Sequence, residues 1–148
     1  IQDAKNILEQ GEVVAIPTET VYGLAGNIFN ESAINKIFET KKRPSYNPLI
    51  VHIDSIEKLD QIVSEVPKKA KILATTFWPG SLTLVLKKKD SIPDLITAGK
   101  NTVAVRVPNH PLTLALLKSL NFPLAVQIHL DQLVLLLQAM SLHILSLL

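Results

Sequence analysis

The sequence predicts one α/β domain, and three observations predict it. Five stretches repeat apolar residues at helical spacing. Four short β-branched or apolar runs lie between them and read as strands. At 148 residues the chain is long enough to bury one core without disulfides or metal. Helices interleaved with short strands pack as two or three layers. No internal repeat or linker divides the sequence.

The elements follow in order. Gln2 to Gln10 sets Ala4, Ile7 and Leu8 on one helical face, and Gly11 follows as a C-terminal cap. Val13 to Ile16 is a short buried strand that Pro17 stops, opening a loop through Thr20. Ser32 to Thr40 repeats the helical pattern with Ala33, Ile34, Ile37 and Phe38, and Ser32 serves as N-cap. Leu49 to Ile53 is a strand. Ile56 to Val63 and Lys68 to Thr76 are helices. Leu82 to Leu86 is a strand running into Lys87, Lys88 and Lys89. Val103 to Val107 is a strand, and Leu112 to Leu120 is a helix.

Composition narrows the classes. There is no cysteine, which excludes a disulfide framework or a thiolate site and fits a reducing cytosol. A formal charge of +2 is compatible with anionic ligands but is no nucleic-acid signature by itself. Ile1 to Gln10 lacks the basic start and apolar run of a signal peptide, so a cytoplasmic location without membrane contact is expected. The first residue is Ile1 rather than Met, which leaves room for a start further upstream.

Two segments carry most of the chemistry, Pro17 to Asn27 and Lys41 to Ile53. Thr18, Glu19 and Thr20 follow a strand end, where hydroxyls suit a ligand in the crevice at the carboxyl edge of a sheet; they equally suit a turn. Lys41, Lys42 and Arg43 follow a helix, where cations complement the negative end of its dipole. Pro44 and Pro48 stiffen the next loop and hold Arg43 and Asn47 in place. Arg offers a planar fork of donors for phosphate, and Asn can donate and accept at a base or ribose. His52 lies in a strand, opposite in parity to Val51 and Ile53; a lone strand histidine is more often structural than a ligand. Arg106 leaves its strand on the face opposite Val105 and Val107. It needs a ligand carboxylate, a structural Asp or Glu, or a solvent-filled cleft.

Four strings in order, A-I-P-T-E-T-V-Y-G-L-A-G-N, K-I-F-E-x-K-x-R-P-x-x-N-P-L-I-V-H-I, F-W-P-G-S-L-T-L-V-L and T-V-A-V-R-V-P-N-H-P, resemble the YrdC-like threonylcarbamoyl-AMP synthase family. The resemblance runs from about Gly11 to Ala125. It implies a twisted mixed sheet with flanking helices around a concave basic cleft. It implies conversion of L-threonine, bicarbonate and ATP to L-threonylcarbamoyl-AMP and pyrophosphate, the first step of threonylcarbamoyladenosine formation in tRNA. Residue by residue, it implies that Thr18, Tyr22, His52 and Arg106 bind L-threonine, Arg106 through the carboxylate. Lys41, Arg43, Asn47 and Thr102 would serve the nucleotide, with Lys41 and Arg43 as the catalytic cations. Trp78, Pro79 and Gly80 look like a structural turn. The threonine amine takes up CO2 or bicarbonate, and the carbamate attacks the α-phosphorus. Catalysis is then positioning and charge neutralisation, with Mg arriving on ATP, since no Asp/Glu cluster announces a protein-made metal site. The product passes to a tRNA-modifying transferase complex.

The resemblance stops after Ala125, which divides the chain into a YrdC-like domain at 1–125 and a divergent, leucine-rich tail at 126–148. The family continues with Ser-x-Asn, part of its nucleotide site, and then a Gly/Ser/Pro-rich loop. Val126 to Gln132 carries no such motif. Read from the third base of the Val126 codon, synonymous codons can encode Pro-Asn-Pro-Ser-Gly-Ser-Val-Ser-Pro-Thr-Thr-Ala-Ser-His-Val, which is the family's continuation. The expectation is a frameshift near codon 126, a C-terminally incomplete fold and impaired activity. A genuine divergent tail is the other reading. A different class of function is a tRNA or double-stranded RNA-binding module that uses Lys41, Lys42, Arg43 and Lys87 to Lys89 on phosphates. The scarcity of aromatic residues argues against a stacking platform for it. An inactive truncated product is the third possibility.

Overall fold

A six-stranded mixed sheet with helices on both faces organises the chain, in a computed structural model that describes residues 1–19, 21–41 and 47–128. Helix α1 (Gln2–Glu9) leads to strand β1 (Val14–Pro17), then β2 (Tyr22–Asn27) and α2 (Glu31–Lys41). Strand β3 (Ile50–His52), a 3₁₀ helix (Ile56–Gln61), α3 (Lys68–Phe77) and β4 (Leu84–Lys87) follow. The single-turn α4 (Asp94–Thr97), β5 (Thr102–Arg106), α5 (Pro111–Ser119) and β6 (Leu124–Gln127) close the described part.

The strand order is β1-β2-β6-β3-β5-β4. Among the described residues only β3 and β5 pair in parallel; the other four pairings are antiparallel. Pleat parity then sorts the side chains. On one face Ile16, Ala25, Ile50, Leu124 and Val126 pack with Leu8 of α1 and Leu116, Leu117 and Leu120 near α5. On the other, Val51, Val103, Val105 and Ala125 pack with Ile34, Ile37 and Phe38 of α2 and Ile96 of α4. A smaller cluster sets Ala70 and Ala74 of α3 against Leu82 and Leu84. The result is three layers around one sheet.

Four elements differ from the sequence expectation, one of them the single-turn α4, where no helix was expected. Strand β2 matches no element expected from the sequence, because it contains Gly23 and Gly26, residues that weaken strands. Both glycines permit close packing: a Cβ on Gly23 would stand 2.5 Å from Val126 Cγ1, and one on Gly26 would stand 3.3 Å from Ala33 Cβ. The segment at 56–61 is 3₁₀ rather than α-helical, ending in a bond from Ile62 N–H to Leu59 C=O. Strand β6 lies in the middle of the sheet, paired with β2 through Gln127 and with β3 through Val126. The sequence boundary between 125 and 126 therefore falls inside a strand. The tail from 129 onward lies outside the described residues.

Candidate ligand site on the open face of β3 and β5

The parallel pair β3–β5 places His52 directly beside Arg106. Thr102, Ala104 and Arg106 leave β5 on the same face, at alternate positions. Antiparallel pairing adds Val85 opposite Ala104 and Lys87 opposite Thr102. This is the face that α1 and α5 cover further along the sheet. Over β4 and β5 it is open: Val85 is 63% exposed, and Thr102 and Ala104 are half-exposed. The floor of the site is thus a bare patch of sheet, ending at a buried Arg106–His52 pair. Thr102 lies four residues from Arg106 along β5, about 13 Å at the usual strand rise. Asn47, half-buried, precedes β3 at the Thr102 end.

Arg106 is buried and held on two sides. Its Nε donates to the Gly80 carbonyl at 3.0 Å, and its Nη2 pairs with Glu19 Oε2. Glu19 Oε1 also accepts the Asn109 backbone N–H at 3.1 Å. By register alone the β1–β2 turn belongs to the far end of the sheet. Ordinary strand twist, about 20–25° per step over the four steps from β1 to β5, carries its tip across the face. Glu19 is a residue of this site that the sequence alone did not single out. A signal existed: an acid sits between Thr18 and Thr20, and a structural Asp or Glu was one of the partners open to Arg106. Trp78-Pro79-Gly80 is structural, as its sequence indicated, with Trp78 Nε1 donating to Leu82 C=O at 2.7 Å. It also has a use at the site, because Gly80 supplies the carbonyl that orients Arg106.

His52 is fully buried. Its Nδ1 lies 3.2 Å from the Ile50 carbonyl, an acceptor, so Nδ1 carries the proton. Nε2 is then a bare acceptor, buried and without a partner among the described residues. Burial, and secondarily the Arg106 charge, lowers the His52 pKa to about 3, against a smaller opposing effect of the Ile50 bond. The ring is neutral at physiological pH, on the strand next to that of Arg106.

Thr18 lies in a turn closed by its own side chain. Oγ1 donates to Val21 C=O at 2.6 Å and accepts Val21 N–H at 3.3 Å. The hydroxyl proton is committed, so a ligand can meet this oxygen only as a donor. Tyr22 is exposed and opposite in parity to Gly23 and Ala25, which puts it on the other sheet face from His52 and Arg106. The structure therefore gathers His52, Arg106 and Thr102 on one face and leaves Tyr22 off it. Arg43, Thr20 and Lys42 lie outside the described residues, as does the side chain of Lys41. The triple lysine is not one basic strip: Lys88 turns inward, bonding Ile92 C=O at 3.0 Å and Asp94 at 3.2 Å. Among the described residues no three His, Cys, Asp or Glu side chains group to hold a metal ion, and no helix is long and apolar enough to cross a membrane.

Known proteins resemble the chain in sequence and in fold. The sequence model of the Sua5/YciO/YrdC family, described as telomere recombination, matches residues 6–127. The threonylcarbamoyl-AMP synthase of Bacillus subtilis is 52% identical over 126 residues, covering 84% of this chain and 36% of that protein. The synthase of Pyrococcus abyssi is 49% identical over 125 residues, covering 84% and 37%. Among solved structures, P. abyssi Sua5 complexed with L-threonine superposes with a TM-score of 0.83 at 48% identity, over 85% of this chain and 37% of that one. Escherichia coli YciO superposes with a TM-score of 0.76 at 26% identity, over 84% and 61%. The chain thus spans little more than a third of the two synthases' length. Matched over most of its own length in sequence and in fold, the chain belongs to the Sua5/YciO/YrdC family.

Proposed function

We propose that this chain forms the substrate-binding domain of a threonylcarbamoyl-AMP synthase, which joins L-threonine, bicarbonate and ATP into L-threonylcarbamoyl-AMP with release of pyrophosphate. The observation that carries the reading is the Arg106–His52 pair at the end of an open sheet face. A guanidinium suits a carboxylate, and the free Nε2 of neutral His52 suits a hydroxyl or N–H donor on the same small molecule. L-threonine carries both groups. The names of the relatives support the same substrate, as does the L-threonine complex of P. abyssi Sua5.

The residues divide the work. Arg106 anchors the carboxylate and His52 accepts from the hydroxyl. Thr18 Oγ1, with its own proton committed, accepts from the amine. The amine forms a bond to the carbon of bicarbonate with loss of water, and the carbamate oxygen then attacks the α-phosphorus as pyrophosphate leaves. Thr102 lies about 13 Å along β5 from Arg106, Asn47 precedes β3 at that same end, and both serve the nucleotide. Lys41, the last residue of α2, and Arg43 supply charge to the phosphates. Mg accompanies ATP as part of the substrate. The product then passes to a tRNA-modifying enzyme.

Isothermal titration of the chain with L-threonine, L-valine and ATP tests this. L-threonine should bind, and L-valine, which lacks the hydroxyl, should bind at least tenfold more weakly. Arg106→Ala should weaken L-threonine about 10- to 100-fold, the range for a charge-assisted hydrogen bond. Radiolabelled bicarbonate should enter an adenylate only with both substrates present. No heat with L-threonine, together with salt-sensitive binding of RNA, would replace this reading with the RNA-binding one.

A further inference from the structure

We propose that Glu19 is the positioning residue of the carboxylate site: it fixes the Arg106 guanidinium along one edge and leaves the other edge to the ligand. The proposal rests on the L-threonine reading above and deepens it.

Glu19 ties three elements together. One oxygen meets Arg106 at the end of β5, the other takes the backbone N–H of Asn109 just before α5, and its own backbone belongs to the β1–β2 turn. The geometry at Arg106 is specific. Nε and one hydrogen of Nη2 form one edge of a planar guanidinium, and that edge is occupied by Gly80 C=O and Glu19. Rotation of the plane would break both bonds. Nη1 lies outside both, which leaves the end-on fork for a second anion.

Burial explains why an acid is needed here. The Arg106 side chain is 3% exposed and the Glu19 side chain 21%, so Glu19 stands between the guanidinium and solvent. A buried cation without a partner is strongly disfavoured, and an arginine lacking Glu19 would swing out of the site. The turn that carries Glu19 is already set. Thr18 N–H donates to Val21 C=O at 2.9 Å, and the Thr18 side chain makes two more bonds to Val21. Thr113 Oγ1 of α5 donates to the Pro17 carbonyl. Thr18 and Arg106, both assigned to L-threonine, are therefore held in one frame through Glu19.

The test compares the wild-type chain with Glu19→Gln, which keeps size and an acceptor but loses charge, and Glu19→Asp, which keeps charge with a shorter reach. L-threonine affinity should fall at least tenfold in Glu19→Gln and less in Glu19→Asp, while ATP affinity stays within twofold. Amide exchange at Asn109, measured without ligand, should quicken about tenfold in Glu19→Asp and stay near wild type in Glu19→Gln. Circular dichroism establishes that each variant is folded, and the Asp variant keeps the test open if the Gln variant is not. A Gln variant that binds L-threonine as well as wild type, or better, overturns the proposal; better binding would mean that Glu19 competes with the substrate carboxylate. Failure of the wild-type chain itself to bind L-threonine is a separate result, which overturns the substrate reading.

Discussion

His52 shows how a single side chain can be legible in identity and still surprising in state. Strand parity alone sets it on the face opposite Val51 and Ile53, and the β3–β5 register makes it the neighbour of Arg106. Its protonation state could not be read from sequence, because it depends on burial and on the carbonyl that Nδ1 meets. The state has a consequence for stability. The unfolded ring titrates near 6.5, whereas the folded ring is held at about 3. Between those values the unfolded chain binds the extra proton, so stability falls as pH falls. The loss begins below about pH 6.5 and grows until about pH 3. Urea midpoints measured from neutral pH down to about pH 4 should drop more steeply in wild type than in His52→Gln. Parallel slopes in the two proteins would mean that His52 is not held neutral. Glu19 was illegible for a related reason: its role needs the turn, Arg106 and Asn109 to meet, and they lie 87 and 90 positions away in sequence.

Strand β2 poses the corresponding problem at the scale of an element. Its local signals, two glycines within six residues, argue against a strand, and the pairing with β1 and β6 overrides them. The glycines are the condition of that pairing. At Gly23 a Cβ would stand 2.5 Å from Val126 Cγ1, and valine is stiff at χ1, so the neighbour cannot swing away. Gly23→Ala should destabilise the chain by about 1–3 kcal/mol, the usual range for overpacking. Val126→Ala removes the obstructing methyls and should recover part of that loss in the double variant. A denaturation cycle over the four proteins reads the coupling. Additive effects would mean that β2 and β6 do not meet at this point. The helices α1, α2, α3 and α5 were legible within two residues at each end because their apolar spacing is local. The segment at 56–61 was legible as helical but not as 3₁₀, and α4 was not legible, since one turn leaves little periodicity to read.

At the scale of the whole molecule, strand order is what sequence could not supply. The last described strand, β6, sits between β2 and β3 and joins the two halves of the sheet. Its second half is also where the resemblance to the family ends, although the family match extends to residue 127. Val126 and Ile128 fit there: both are buried among Ile16, Ile50 and Leu124. Gln127 does not fit in the same way. It is 4% exposed, and its Oε1 is buried without a partner among the described residues. A buried acceptor left unpaired costs about 1–3 kcal/mol. We propose that this mismatch and the loss of Ser-x-Asn share one origin, a shift of reading frame near codon 126. Gln127→Leu, close in size and without the amide, should then raise the urea midpoint by an amount worth about 1 kcal/mol. The gene, read one frame over from the last base of codon 126, should continue with Pro-Asn-Pro-Ser-Gly-Ser. A gene that encodes no such string in either alternative frame, with no gain from Gln127→Leu, would make Gln127 a residue with its own partner and the leucine-rich tail an encoded element.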